Sequence, residues 1–166
     1  KLVPYLAPVV SPMIAHGPLL KKEYGADTKV VFLGPCIAKK KESMDLRHND
    51  CIDAVLNFQE VESWLKQEQI EIQECEAEPL ERIDPKVNRL YPVTNGVVNS
   101  VLATEKQVDH YRKFYVHGIR NCIDLCESMV RGEINGCFIE MNSCSGGCIK
   151  GPTVEDRSIS PFKVEL

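Results

Sequence analysis

The sequence predicts an α/β fold with a mainly parallel four-stranded sheet and helices on both faces. Three observations lead there. Short apolar, β-branched runs alternate with helical stretches; glycine and proline punctuate the junctions; and the loops after the first and last of those runs carry cysteines. Strand–helix alternation builds βαβ units, which pack as parallel sheets through right-handed crossovers. With 166 residues the chain can fill one core but hardly two, so residues 1–166 are expected to form a single lobe.

Each element has its own signal. Ser11 opens a helix with Pro12 in its first turn, running through Met13, Ile14, Leu19 and Leu20 to a stop at Gly25. Lys29 to Leu33 is an apolar run ended by Gly34-Pro35, which reads as a buried strand. Ile37 to Met44 reads as helix, Ile52 to Leu56 as a second strand, and Phe58 to Leu65 as a helix with Val61, Trp64 and Leu65 on its apolar side. Glu68 to Asn95 is an excursion, acidic at Glu68, Glu71, Glu74, Glu76, Glu78 and Glu81 and broken by Pro79, Pro85 and Pro92, with a short strand expected at Ile70 to Ile72. After the Asn95-Gly96 turn come a helix to Glu105, a third strand at Phe114 to His117, an amphipathic helix from Arg120 to Val130, and a fourth strand at Gly136 to Glu140.

Composition narrows the function classes. An apolar share of 43% and a charged share of 27% are those of a soluble globular protein. The net charge of −4 argues against nucleic acid, since no basic stripe offsets it; Lys39-Lys40-Lys41 reads as a solvated helix start. No stretch approaches the roughly 20 apolar residues of a membrane-spanning helix. Lys1 to Pro4 carries no sign of a secretory signal, and the absence of an initiator methionine suggests a piece of a longer protein. Eight unevenly spaced cysteines without an export signal point to a reducing, cytoplasmic setting, with the thiols as metal ligands or small buried hydrophobes.

The cysteine loops carry the chemistry. Cys144-Ser145-Gly146-Gly147-Cys148 holds two thiols around a Gly-Gly pair, a spacing that lets two thiolates converge on one soft metal centre. Zinc, an iron–sulfur cluster and free thiols all remain open on these residues alone. Ligands of open α/β sheets sit beyond the carboxyl ends of the strands. Cys36 follows the first strand and Cys144 and Cys148 the last, so all three are expected at one sheet edge. Cys122 and Cys126, at i and i+4 on one helix face, can pinch a metal or pack in a core, and packing is the expectation. Cys51, Cys75 and Cys137 read as structural, His16, His48, His110 and His117 share no ligand spacing, and Trp64 reads as core.

Together these residues resemble a known family. Gly34-Pro35-Cys36-Ile37-Ala38-Lys39-Lys40 with Glu42 resembles the Pro-Cys-x-x-Lys-Lys-x-Glu motif of the iron-only (FeFe) hydrogenases, and Glu140 to Cys148 resembles their Glu-x-x-x-Cys-x-Gly-Gly-Cys motif. Ser11-Pro12 with Gly17, and Tyr91 to Val101, resemble further family segments. The resemblance implies one lobe of a hydrogenase catalytic domain carrying the H-cluster, a four-iron cubane (4Fe-4S) joined to a two-iron subsite. Cys36, Cys144 and Cys148 would be thiolate ligands of the cubane, with Cys148 bridging to the two-iron subsite. Lys39 would donate to a cyanide ligand there, Glu42 would lie near the proton route, and Pro35, Gly146 and Gly147 would shape the pocket.

The same resemblance exposes departures. A cysteine pair that supplies the fourth cubane ligand and a proton shuttle would lie upstream of Lys1. Gly34 and Asn142 stand where methionines are usual, Met13 follows Ser-Pro where a polar residue is common, and Ala7 replaces a relay serine. These changes, and the Ser11 to His16 and Gly151 to Pro161 stretches, resemble the sensory or regulatory branch. The implied partners are an upstream lobe and ferredoxin-like iron–sulfur domains of the same parent chain, a downstream signalling domain, and hydrogen and protons as substrates. The fragment alone is expected to be inactive and free of cluster. Two other classes stay open: an iron–sulfur assembly or electron-transfer protein, and a non-enzymatic sensor module.

Overall fold

The computed structural model describes residues 1–45, 47, 50–78, 90–104 and 110–154. His48, Glu105, the acidic excursion from residue 79 to 89 and the closing stretch from residue 155 lie outside the described residues. The chain divides into two compact units, one from Ala7 to Ala77 and the other combining Lys1–Leu6 with Glu78–Leu166.

The unit from Ala7 to Ala77 begins with α1 (Pro12–Tyr24), where the Ser11 hydroxyl accepts from the Ile14 N–H and Pro12 occupies the first turn. Gly17 on this helix abuts the Cys51 carbonyl, so closely that no side chain fits there. β1 (Val31–Leu33) leads through α2 (Ala38–Ser43) to β2 (Ala54–Leu56), which pairs parallel with β1, Val31 opposite Ala54. Met13 and Ile14 of α1 form the core with Val30 and Ile52, and Phe32 and Val55 pack against it. Asp53 ties the elements together. Its carboxylate accepts from the Val30 N–H at 2.9 Å and pairs with Lys21 at 2.9 Å and Lys29 at 3.1 Å, which holds it well below the usual carboxylate range.

α3 (Phe58–Gln67) starts in a capping box between Asn57 and Glu60, and Lys40 pairs with the same Glu60 at 2.7 Å. It ends where Gln69 takes a left-handed φ of 58°, with Gln69 N–H donating to Lys66 O and Ile70 N–H to Leu65 O. That stop turns the chain out of extended geometry, so the expected strand at Ile70 to Ile72 is replaced by a 3-10 turn at Ile72–Glu74.

The other unit holds α4 (Gly96–Thr104), then β3 (Arg112–His117), α5 (Ile119–Val130) and β4 (Cys137–Asn142). β3 and β4 pair in parallel over six residues, from Arg112 opposite Cys137 to His117 opposite Asn142. Gly118 enters α5 at φ +85°, and Gly132 ends it at φ +78°, where its N–H donates to Met129 O and Glu133 N–H to Ser128 O.

The α/β class and the parallel pairing are as the sequence predicts. The sheet count is not: among the described residues the four strands make two two-stranded sheets. Each βαβ unit closes on itself, β1 with β2 and β3 with β4. A two-stranded sheet also leaves one face open. Phe32 turns to the core while Val31 and Leu33, its neighbours on the opposite face, are about half exposed, so β1 is not the buried strand expected. Trp64 is 56% exposed and donates its indole N–H to Glu68 at 3.3 Å, contrary to its reading as core. Val61 and Leu65, four residues apart, share the inner stripe of α3, and Trp64 falls one step off it. Among the described residues no helix is long and apolar enough to cross a membrane.

Candidate metal centre

The Cys144–Cys148 loop grows directly out of β4 and ends in a 3-10 turn at Cys148–Lys150. Both internal glycines are required by the backbone. Gly146 and Gly147 each sit at φ +84°, and a Cβ on Gly147 would stand 2.7 Å from Pro92 O and 2.8 Å from Thr94 N. Gly147 N–H donates back to Cys144 O at 3.2 Å, and Ile149 N–H donates to Pro92 O at 2.9 Å. The loop is thereby clamped against the segment that precedes α4. Cys144 is half-buried and Cys148 exposed, and neither is in a disulfide. Two soft donors on a short, backbone-tight loop are what a soft metal centre asks for.

Three side chains stand behind this loop. His117, at the carboxyl end of β3, accepts the Gly146 N–H on Nδ1 at 3.3 Å. That bond occupies Nδ1 and leaves Nε2 as the ring position able to donate. Glu140 is buried, at 6% exposure, and its Oε2 accepts the Val98 N–H at 2.9 Å in the first turn of α4. A carboxylate there meets the positive end of the helix dipole. Its other oxygen, Oε1, accepts from Asn142 Nδ2 at 2.7 Å. That bond fixes the Asn142 amide, whose Oδ1 faces the Cys148 thiol at 3.8 Å. A continuous line thus runs from the α4 terminus through Glu140 and Asn142 to the Cys148 sulfur.

Cys36 lies in the unit from Ala7 to Ala77, in the loop between β1 and α2. Gly34, two residues before it, is buried where a Cβ would stand 2.8 Å from the Phe32 ring, and Lys39 N–H donates to Cys36 O at 3.3 Å. Lys39 and Glu42 pair at 2.6 Å, both largely shielded from solvent. An ammonium has three protons and Glu42 takes one of them, so the pairing leaves Lys39 further donor capacity.

The expected single sheet edge is not what the structure has. Cys36 follows a strand of one two-stranded sheet, and Cys144 and Cys148 follow a strand of the other. Cys144 and Cys148 share one loop, as do Pro35 and Cys36 with the Lys39–Glu42 pair just beyond them. Among the described residues no three histidine, cysteine or acidic side chains are grouped to hold a metal ion. His117 and Glu140 escaped the reading of site residues, although the signal was present. Glu140 opens the Glu-x-x-x-Cys motif and lies two residues before Asn142 in β4, opposite Tyr115, while His117 ends β3 opposite Asn142.

Comparison with known proteins decides the family. A model of the iron-only hydrogenase large subunit, C-terminal domain, matches residues 1–152. The chain belongs to this hydrogenase family. Solved FeFe-hydrogenases have the same fold. One, from work on oxygen inactivation and degradation of the two-iron subcluster of the H cluster, matches with a TM-score of 0.69 at 18% identity, covering 99% of this chain and 59% of that one. A second, concerned with stepwise H-cluster assembly, matches at 0.68 and 17% identity over 99% and 60% of the two chains. A variant of an FeFe-hydrogenase from Chlamydomonas reinhardtii matches at 0.72 and 17%, again over 99% and 60%. The chain therefore spans about 60% of the length of the solved hydrogenases it matches. Both hydrogenase motifs fall within the family match, one in each unit.

Proposed function

We propose that this chain is part of an iron-only hydrogenase catalytic domain in which Cys36, Cys144 and Cys148 hold the cubane of an H-cluster, and in which hydrogen is sensed more than rapidly turned over. The observation that carries the proposal is the clamped Cys144–Cys148 loop, where Gly147 is held against Pro92 with no room for a side chain. The soft thiolate donor set fits an iron–sulfur group, and three cysteines fall one short of the four a cubane takes. The fourth ligand is assigned to the remainder of the hydrogenase, which also supplies its iron–sulfur relay and, for a sensor, a signalling domain. When bound, the cluster would interconvert hydrogen with two protons and two electrons.

The chain's own residues have separate tasks in this reading. The Gly146-Gly147 pair keeps the loop tight enough for two thiolates to share one centre, and Pro35 stiffens the approach to Cys36. Lys39 keeps a positive charge beside an anionic group, and Glu42 holds that ammonium and can carry a proton at its carboxylate. Asn142 presents an amide to Cys148 where a thioether is usual in the family, and Gly34 removes a second one. Both changes alter hydrogen bonding and packing around the cluster, the levers that set potential and rate. The sensory assignment rests on them.

The test is anaerobic maturation of the whole parent protein followed by infrared spectroscopy. Carbonyl and cyanide bands that respond to hydrogen, with turnover well below that of a fast hydrogenase, support the proposal. A four-iron signal without those bands assigns the protein to electron transfer or cluster assembly, and a stable hydrogen-active cluster on the 166-residue chain alone overturns the shared-ligand reading.

A further inference from the structure

α5 carries a groove of about 470 Å³ on its outer side, lined by Ile119, Cys122, Ile123, Cys126 and Val130, with Glu127 and Arg131 at its rim. Two cysteines line it one helical turn apart, Cys122 buried and Cys126 half-buried. Below them lies the edge of β4. Cys126 Sγ stands 3.9 Å from Met141 Sδ, and Cys122 Sγ donates to the carbonyl of the next residue, Asn142, at 3.6 Å. Cys126 and Met141 thus meet sulfur to sulfur beside the groove, Cys122 reaches the residue next to Met141, and none of the three stands at a defined position of the hydrogenase motifs.

We infer that Cys122, Cys126 and Met141 form a binding site for a soft monovalent ion of the copper(I) type, separate from the hydrogenase cysteines. Thiolate with thioether is the donor set that selects copper(I) over harder divalent ions. Zinc would ask for a fourth protein or water ligand and gains little from a thioether, and no third histidine, cysteine or acidic ligand is grouped with the two thiols among the described residues. The Cys126–Met141 separation fits: three donors around one ion with bonds of about 2.3 Å stand about 4.0 Å apart, and Cys122 one turn before Cys126 is the third donor. A disulfide is the competing use of two neighbouring thiols. It needs Cβ atoms about 3.5–4.5 Å apart, whereas i,i+4 positions on a helix hold them about 5–6 Å apart, so the pair bridges through an ion without unwinding α5.

The site is tested on the 166-residue chain with Cys36→Ser, Cys144→Ser and Cys148→Ser, which removes the competing cluster thiols. Copper(I) is titrated anaerobically against a chromophoric copper(I) chelator. One tight equivalent is expected; Cys126→Ser removes it, and Met141→Leu, which keeps the volume, weakens it about tenfold as a lost weak ligand should. Unchanged binding in both variants overturns the inference. A second measurement needs no change in α5. One equivalent of silver(I) should shield the half-buried Cys126 from alkylation, read peptide by peptide, while the exposed Cys75 stays reactive. Equal shielding of Cys75, or an unshielded Cys126, rejects the site.

Discussion

Replacing Glu140 probes the support of the Cys148 loop most sharply. Glu140→Ala removes two bonds at once, the 2.9 Å bond from the buried Val98 N–H and the 2.7 Å bond from Asn142 Nδ2. Leaving the Val98 N–H unsatisfied costs about 1–3 kcal/mol, and losing a charge at the start of α4 adds about 0.3–1 kcal/mol. A total of about 3 kcal/mol corresponds to a fall of about 6–12 °C in Tm for a chain of this size. Glu140→Gln behaves differently. Val98 N–H still needs an oxygen, so the new amide must turn its NH2 toward Asn142, and Asn142 must flip to accept it. The flipped Asn142 then offers NH2, not oxygen, to the Cys148 sulfur, which favours the thiolate. Calorimetry with amide hydrogen exchange over residues 98–102 reads the first effect, and the alkylation rate of Cys148 reads the second. Glu140→Gln keeps both bonds and should cost only the charge at the start of α4, about 0.3–1 kcal/mol, and speed Cys148 alkylation. An Ala variant within 2 °C of the parent, roughly the effect of half a kcal/mol, or a Gln variant with slower alkylation, refutes the line drawn from α4 to Cys148.

Other perturbations separate stability from chemistry. Gly147→Ala places a side chain against Pro92 O at a φ of +84° and a ψ of −178°, a region reserved for glycine; it should cost of order 1–3 kcal/mol and halve or worse the iron retained after reconstitution, measured per chain. Lys39→Met removes a partly shielded ion pair worth no more than about 1 kcal/mol, so urea unfolding should barely move while cluster retention in the parent protein falls. Asp53 is held below the ordinary carboxylate range in the folded chain and returns to about 3.9 when unfolded, so its stabilisation is present above about pH 4 and lost as pH falls through and below that value. Asp53→Asn should make the acid limb of the stability profile shallower below about pH 4, with Glu60 and Glu133, also held low by Lys40 and Arg131, keeping part of it; an unchanged acid limb assigns acid sensitivity to other groups.

How much of this was legible in the sequence depends on whether the deciding interaction is local. Ser11-Pro12 announces α1 because a cap acts within three residues, and Gly132 closes α5 for the same reason. The alternation of strand and helix carried the parallel pairing. What no local pattern holds is which strands pair, since β2 and β3 differ little in apolar content from strands that do meet; the split into two sheets is a tertiary choice. Trp64 shows the same limit, being apolar in type yet one step off the stripe made by Val61 and Leu65. The cysteine loop was legible because Gly-Gly between two thiols has few other uses. The motif showed Glu140, but not its bonds to Val98 and Asn142 or the bond of His117 to Gly146, because these are tertiary contacts that no local pattern holds.

The central claim is that Cys36, Cys144 and Cys148 act as one ligand set although they come from separate loops. Anaerobic reconstitution of the chain with iron, sulfide and an external thiol as fourth ligand tests it, with iron per chain and the electron paramagnetic resonance of the reduced cluster as readouts. A weakly held cubane is expected, with iron content approaching about four per chain at saturation. Serine at any one of the three positions should abolish the signal, and serine at Cys75 should leave it intact. A cluster signal that survives Cys36→Ser, or one that disappears equally with Cys75→Ser, would contradict the account.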